Sequence, residues 1–502
     1  MDLRRIIRNV SSQWLALAAQ LVISVLMTPF LVRRLGDVGY GIIALVSGLM
    51  GYSGILYFGL GAAVVKFVAE HHAGGERDAL NETTSTIFAI YLAFGLLCFA
   101  LAAALVLPLP HLFRIPAEHA WEARAMLLMT GVGLLVQFPG SVYGGVLMGL
   151  ERFDLLNGYN FALLLVRTAL TVAALVWRPT VVWIGAITMG SLIAEQALAM
   201  YFAKRELPYL RLSLKLYRRD RLRQLFTFGT QSFLFTLSEK LINYTDEFVI
   251  SQARGPGAVT YYVIPLRLVD YARDALDKAT LVLMPGVSAA AKRGEVDSMQ
   301  ALWRFGNKAV MCLVAPVTLV FLVWGEAVLS IWLDPERGAR GYPVLRWLAL
   351  AFVVQVAGRG LARPIFEGLG ELSKPARITV AEGVVNLVLS VVLVRTSLGI
   401  EGVAFATFVP AAVTGIFVMP WYVCRRLGTS YVGHVLNTFV RTLPPLVPAY
   451  GVLWLAERQG LKGNLLAMAL ACFGVLVVYV AGAFAVTLDA EERRTVRARF
   501  GL

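Results

Sequence analysis

Between Glu239 and Lys278 an otherwise apolar stretch carries Glu239, Lys240, Asp246, Glu247, Arg267, Asp270, Arg273, Asp274, Asp277 and Lys278. Side chains of these types hold protons, metal cations or charged ligands. On a helical wheel Asp277, Asp270, Asp274, Arg267, Lys278 and Tyr271 occupy one arc, with Arg273 at its edge. Val282, Ala275, Leu268, Ala279, Ala272, Leu276 and Val269 fill the opposite arc, which is expected to pack. Spacing pairs Arg273 with Asp277 and Asp274 with Lys278 at i,i+4, and Arg267 with Asp270 at i,i+3. Upstream, Glu239, Asn243 and Asp246 share one helix face, and Lys240, Tyr244 and Glu247 share the next. Asp246 and Glu247 suit reversible binding of a proton or sodium ion, or a structural pairing with Lys240 or an arginine of the following helix. The charged stripe admits two readings as well: pairs that only keep it wet, and pairs that open for a ligand.

The elements that carry these groups set the price of having them there. The chain has 502 residues, 58% hydrophobic and 16% charged, with a mean hydropathy of +0.69. Soluble domains average about 25% charged residues. Fourteen apolar stretches reach the ~20 residues that a spanning helix needs. They fall near 12–33, 40–68, 83–107, 122–148, 156–177, 180–203, 225–252, 258–290, 302–326, 342–369, 377–398, 400–424, 437–457 and 465–487. The expected fold class is an all-α polytopic membrane protein. An ionised group inside a bilayer costs roughly 2.5–3.5 kcal/mol on insertion scales, so the cluster must face water, protein or a polar ligand.

The net charge of +14 is concentrated at Arg4, Arg5 and Arg8, in Lys204–Arg223, and at Arg493, Arg494, Arg497 and Arg499. This bias puts both termini in the cytoplasm and the basic loops against anionic headgroups, with no nucleic acid as partner. The first apolar segment is too long for a signal-peptide core and reads as an uncleaved first span. Cys98, Cys312, Cys424 and Cys472 lie in separate spans without metal-ligand spacing and read as packing residues. His71 and His72 sit in a polar loop, and no metal motif is present; no metal and no cofactor are expected. No nucleophile–base constellation occurs in a soluble domain, so the chain reads as a non-enzyme.

An internal repeat with an offset of about 219 residues organises the chain. Gly36–Tyr40 answers to Gly257–Tyr261, Gly75–Asp78 to Gly294–Asp297, and Leu112–Pro116 to Ile331–Pro335. Gln137 falls opposite Gln355, and Lys204-Arg205 opposite Arg425-Arg426. Six spans per copy make the repeats parallel, two lobes around a central cavity. The expected division is an N-terminal lobe at 1–203, a cytoplasmic amphipathic linker at 204–224, and a C-terminal lobe at 225–426. Two added spans at 437–487 and a basic cytoplasmic tail at 488–502 follow. Pro29, Pro139, Pro265, Pro285, Pro316, Pro364 and Pro410 fall inside apolar segments, where each removes a backbone hydrogen bond.

Asn9-Val-Ser-Ser leads into a first span ending Thr28-Pro-Phe-Leu-Val-Arg-Arg-Leu-Gly36, followed by Asp37-Val-Gly-Tyr-Gly41. The second span carries Tyr57-Phe-Gly-Leu-Gly61, and the seventh runs Asp246-Glu-Phe-Val-Ile-Ser251. With these motifs the whole chain resembles the polysaccharide transporter family, the Wzx-type O-antigen and exopolysaccharide flippases. That family's superfamily also holds the multidrug extruders and the lipid II flippases. The first span lacks the acid of the proton-coupled extruders, and the arginine-rich signature of the lipid II flippases is absent near the second.

The resemblance implies transport of an undecaprenyl-pyrophosphate-linked oligosaccharide across the bacterial cytoplasmic membrane by alternating access. The alternative within the superfamily is a cation-coupled multidrug antiporter. Membrane lipids are further partners, and H+ or Na+ and the polysaccharide polymerase or export machinery stay open as others. A pyrophosphate calls for cations: the guanidinium fork matches phosphate oxygens, and an ammonium acts as a point charge. Candidates are Lys66, Arg167, Lys240, Arg267, Arg273, Lys278, Arg359 and Arg363, with Tyr57, Asn243, Tyr244, Tyr271 and Gln355 for the glycan. Asp246, Glu247, Asp270, Asp274 and Asp277 are the candidate coupling or charge-relay groups. Lys66, Glu195, Arg359 and Arg363 also read as isolated charges near helix ends, where snorkelling is the default, and Glu367 and Glu382 as flanks of the loop around Lys374.

Overall fold

The computed structural model describes residues 3–57, 60–221, 240, 244–281, 295–369, 371, 373–489 and 492–494, without the side chains of 3–18, 277–281, 363–364 and 367–368. Among the described residues there is helix and connecting turn but no strand. Ten helical segments among them are long and apolar enough to cross a membrane. The chain is an all-α polytopic membrane protein. By contacts it divides into two compact units, Met1–Thr260 and Tyr261–Leu502, so the seventh helix falls in the first.

In the first unit, α1 (Leu3–Ser53) joins the first two expected spans across Gly36, whose φ of 69° and ψ of 179° only glycine adopts at ease. The second span is then interrupted: a 3₁₀ turn, Gly54–Tyr57, separates α1 from α2 (Leu60–Ala73). α3 (Arg77–Val106), α4 (Ala117–Gly149), α5 (Phe153–Trp177) and α6 (Val181–Glu206) follow. Thr180 caps α6 by accepting from Val182 N at 3.3 Å. The core lies among α2, α3 and α4, where Leu60, Phe67, Ile87, Tyr91, Phe138 and Val142 are buried. Helix α7 (244–254) ends at Gly255, φ 83°.

The expected amphipathic linker is chiefly extended, with one 3₁₀ turn at Leu214–Leu216. It is strapped to α3 by side chains one turn apart. Asn81 donates to Tyr209 O at 3.1 Å and accepts from Arg211 N at 2.9 Å. Ser85 donates to Arg211 O and accepts from Ser213 N, both at 3.1 Å. Thr86 accepts from Arg218 N at 3.1 Å, and Glu82 takes the Arg218 guanidinium at 2.9 Å. Leucines at 207 and 210 bury against the unit while the basic residues stay outside.

In the second unit lie α8 (Pro256–Leu281, from Tyr261 on), α9 (Val296–Trp332) and α10 (Pro335–Arg359). Asp334 caps α10 by accepting from Arg337 N at 2.9 Å, with Pro335 in the first turn where its missing N–H costs nothing. α11 (Ala362–Leu369), α12 (Ser373–Leu393), α13 (Gly399–Ala412) and α14 (Met419–Leu427) continue, the last two joined by a π turn at Val413–Val418. After α15 (Tyr431–Val435), α16 (Leu446–Arg458) and α17 (Leu465–Val486) pack on α9 through Trp324, Leu453, Val475 and Tyr479.

The repeat reappears in the helix starts. α3, α4, α5 and α6 begin at 77, 117, 153 and 181, and α9, α10, α12 and α13 at 296, 335, 373 and 399, each about 219 later. Gly36 and Gly255, both at positive φ, stand at the same offset. Pro29, Pro139, Pro265, Pro316 and Pro410 lie inside helices, and Pro285 falls outside the described residues.

Candidate functional site

In the first unit, α7 is held at and just past its C-terminal end. Arg114 donates to Ala253 O at 2.8 Å, Ser251 donates to Phe113 O at 3.2 Å, and Thr260, past Gly255, donates to Asp37 O at 2.6 Å. Its inner face meets glycines on α1 and at the start of the 3₁₀ turn that follows it. A Cβ at Gly48 would collide with the Glu247 carboxylate, one at Gly51 with the Tyr244 ring, and one at Gly54 would stand 3.1 Å from Lys240 Cε. The three-residue spacing of Gly48, Gly51 and Gly54 puts them on one face, and the missing side chains let the two backbones close up. Tyr52 and Thr245 share a hydrogen bond of 2.6 Å at this contact. Lys240 Nζ lies 4.9 Å from the Tyr244 ring centroid, a cation–π arrangement. Asp246 and Glu247, the expected coupling acids, are each only 3% exposed. Lys66 is exposed on α2, its Nζ 5.2 Å from the Phe67 ring. Asn243 lies outside the described residues.

In the second unit, α8 brings Arg267, Asp270 and Arg273 together. Asp270 lies 3.7 Å from the Arg267 guanidinium and 4.0 Å from that of Arg273. Arg273 also donates to Gln355 Oε1 of α10 at 3.0 Å and lies 5.9 Å from the Phe352 ring centroid. Two cations therefore share one carboxylate, and an amide holds the second fork. Tyr271 packs edge-on to Trp332 with centroids 6.3 Å apart. Asp274 is exposed, and the side chains of its expected partner Lys278 and of Asp277 lie outside the described residues. The packed arc is narrower than the wheel suggests: Val269 and Leu276 are buried, whereas Ala275 is exposed.

Arg359 is not the isolated charge its sequence position suggests. It forms a bidentate pair with Glu382, both distances 2.7 Å, and Thr414 donates to the same carboxylate at 2.6 Å. Glu382, expected beside a loop, is buried in the middle of α12. The α10–α14 region closes tightly here because Gly358 and Gly415 meet backbone to backbone, with no room for a Cβ on either. The pair satisfies both charges locally. The Arg363 side chain is outside the described residues.

Two features had little signal in the sequence. Lys308, inside α9 and 2% exposed, is held by Asp489 at 3.0 Å and Glu492 at 2.8 Å from the segment after α17. Arg441 adds a 3.0 Å bond to Asp489. The glycines at 48, 51 and 54 are the other: the seventh span is expected at 225–252, but nothing in local spacing pairs it with them.

A polytopic helical chain built on a repeat, with paired charges inside its spans, has the fold of a membrane transporter. Among solved structures it is similar to an inward-facing multidrug resistance MATE family transporter of the MOP superfamily. The TM-score is 0.69 at 17% identity, covering 81% of this chain and 94% of that one. It is also similar to the lipid II flippase MurJ in an inward closed conformation, with TM-score 0.67 at 14% identity over 95% of this chain and 98% of that one.

The chain belongs to the polysaccharide biosynthesis protein family, whose model matches residues 6–290. It is 23% identical over 499 residues to the membrane protein EpsK of Bacillus subtilis (strain 168), covering 98% of this chain and 97% of that protein. It is 21% identical over 356 residues to a putative O-antigen transporter of Shigella flexneri, covering 69% of this chain and 81% of that protein. The resemblance read from the motifs of the first, second and seventh spans is borne out.

Proposed function

We propose that the chain is a flippase that carries a polyprenyl-pyrophosphate-linked oligosaccharide across the cytoplasmic membrane, with both termini in the cytoplasm and alternating access as its mechanism. The observation that carries this reading is the Arg267–Asp270–Arg273 group: two guanidiniums around one carboxylate on a helix that opens the second repeat. An incoming pyrophosphate would take the forks in exchange for Asp270, charge-assisted bonds for a charge-assisted pair. Lys240 and Lys66 are secondary cationic contacts, and Tyr271 and Gln355 are suited to the glycan. In this reading 1–203 and 225–426 are the two six-helix lobes, and the 437–487 spans are an addition to them. The names of the relatives, an O-antigen transporter and a lipid II flippase, support the same substrate class.

The test is translocation in proteoliposomes of a lipid-linked oligosaccharide, read by its accessibility to an added glycosidase. Wild type should move the substrate, and Arg273→Gln should slow it by about tenfold to a hundredfold, as loss of a charged hydrogen bond does. A wild-type protein that moves none, or a deletion strain with unchanged surface polysaccharide, sinks the reading.

A second reading, cation-coupled drug antiport, is favoured by the buried Asp246 and Glu247. It requires that expression raise tolerance to cationic dyes in a sodium- or pH-dependent way.

A further inference from the structure

The first unit contains a cavity of about 620 Å³ between α1, α3 and α4. Its floor is the close approach of α3 to α4, where Gly131 has no side chain and a Cβ there would meet Ala102 Cβ at 2.7 Å. Its walls are Leu, Ile, Met and Phe side chains with Cys98 among them. Leu97 and Leu101 stand at its edge, 45% and 54% exposed on a helix that crosses the membrane. Surface of that kind on a spanning helix faces hydrocarbon, so the cavity opens to the lipid phase.

Of the three hydroxyls in the wall, on Tyr52, Ser53 and Thr130, two are already engaged. Ser53 donates to Met50 O at 2.6 Å, and Tyr52 is bonded to Thr245. A polar ligand therefore gains nothing from these groups, and water would find too few partners to stay. An empty void of this volume loses the contacts of its whole lining. Hydrocarbon is the chemistry that fits.

Position decides which hydrocarbon. Tyr52, Ser53 and Phe248 line the cavity where α1 receives α7, beside Lys240 and Glu247. One amphipathic molecule can put its chain into the cavity and turn its head toward Lys240, the cation at that contact. We infer that the cavity is the seat of the prenyl tail of the transported lipid. This rests on the flippase reading above and adds to it a tail site in the first unit.

The test uses the full chain in proteoliposomes and a polyprenyl-pyrophosphoryl sugar with a photoreactive diazirine near the end of its tail. Labelling is expected in peptides containing Leu97–Leu105 and Leu127–Leu134, competed by unlabelled long-chain carrier. Leu101→Trp, a change at an exposed edge that leaves the packed floor intact, should reduce both labelling and long-chain translocation about tenfold, the order by which an apolar pocket discriminates. A farnesyl-length carrier should be moved as by wild type. Labelling that phospholipid competes as well as carrier, or a Trp variant that slows both chain lengths alike, overturns the inference in favour of ordinary bilayer lipid or a general packing defect. Labelling is read without transport. A wild-type chain that binds the tail in this cavity but moves nothing would therefore sink the flippase reading alone.

Discussion

The carboxylate of Glu382 receives both arms of the Arg359 guanidinium at 2.7 Å, and the side chains are 2% and 18% exposed. Thr414 completes the carboxylate's shell from a π turn, a local widening that places its hydroxyl. Glu382→Gln should therefore lower the stability of the detergent-solubilised protein, by at most about 3–5 kcal/mol, because it strands a largely buried guanidinium. The double variant Arg359→Met with Glu382→Leu should recover most of the loss. A thermal midpoint unchanged in Glu382→Gln would refute the pair's structural role.

Gly51 should be intolerant of any side chain for a reason specific to Tyr244. Gly51→Leu should cost about 1–3 kcal/mol, the usual range for forcing extra carbons into a packed contact. Combining it with Tyr244→Ala should restore part of the stability, measured by urea-dependent unfolding. Additive losses would show that the glycine matters for another reason.

Around Lys308 the prediction is one of pH. The Asp489 carboxyl is held below the usual range, first by the hydrogen bond from Lys308 and then by the charges of Lys308 and Arg441. A depressed carboxylate contributes stability that is present above its unfolded value, about pH 4, and is lost as pH falls through the folded one. The thermal midpoint of wild type should thus fall on the acid side of about pH 4, and Lys308→Met should flatten that limb. The half-exposed position of Asp489 keeps its share small. Asp489→Asn with Glu492→Gln is the severe change: it leaves a buried ammonium unpaired, at about 3–5 kcal/mol near neutral pH.

The strap on α3 predicts a proteolytic phenotype. Asn81→Ala removes two bonds at once, to Tyr209 O and from Arg211 N. Trypsin should then cut between Arg211 and Arg218 at least several-fold faster in folded protein, since local opening governs cleavage. Equal rates in variant and wild type would mean that Ser85, Thr86 and Glu82 suffice.

Most of the helical plan was legible because hydropathy over twenty residues is a sum, and a sum tolerates local exceptions. Apolar runs at 122–148, 156–177 and 180–203 became α4, α5 and α6 with ends shifted by a few residues. Side-chain partnerships were much less legible. Arg267 and Asp270 meet because they share one helix, and spacing alone finds such pairs. Arg273 bonds to Gln355 across 82 positions, and Arg359 to Glu382 on another helix; neither choice is encoded in local spacing. Glu382 was misplaced for the same reason: a lone acid near a loop in sequence gives no sign of the arginine and threonine that neutralise it. The course of the strap is not legible because its alternating leucines fit both a surface helix and an extended chain. The α3 hydroxyls and amide that decide between them lie more than a hundred residues away.

Gly36 and Gly255 each turn the chain from one helix into the next through a single residue of positive φ, and no neighbouring atom lies within 4 Å of where a Cβ would stand at Gly36. The restriction at Gly36 is therefore in the backbone itself and cannot be relieved by repacking around it. In a saturation library of this gene, the two positions should stand out as matching glycine-only columns about 219 apart. Side chains elsewhere in the two copies are free to drift until their alignment fades. A torsion that only one amino acid satisfies is not, and it would outlast them as the record of the duplication.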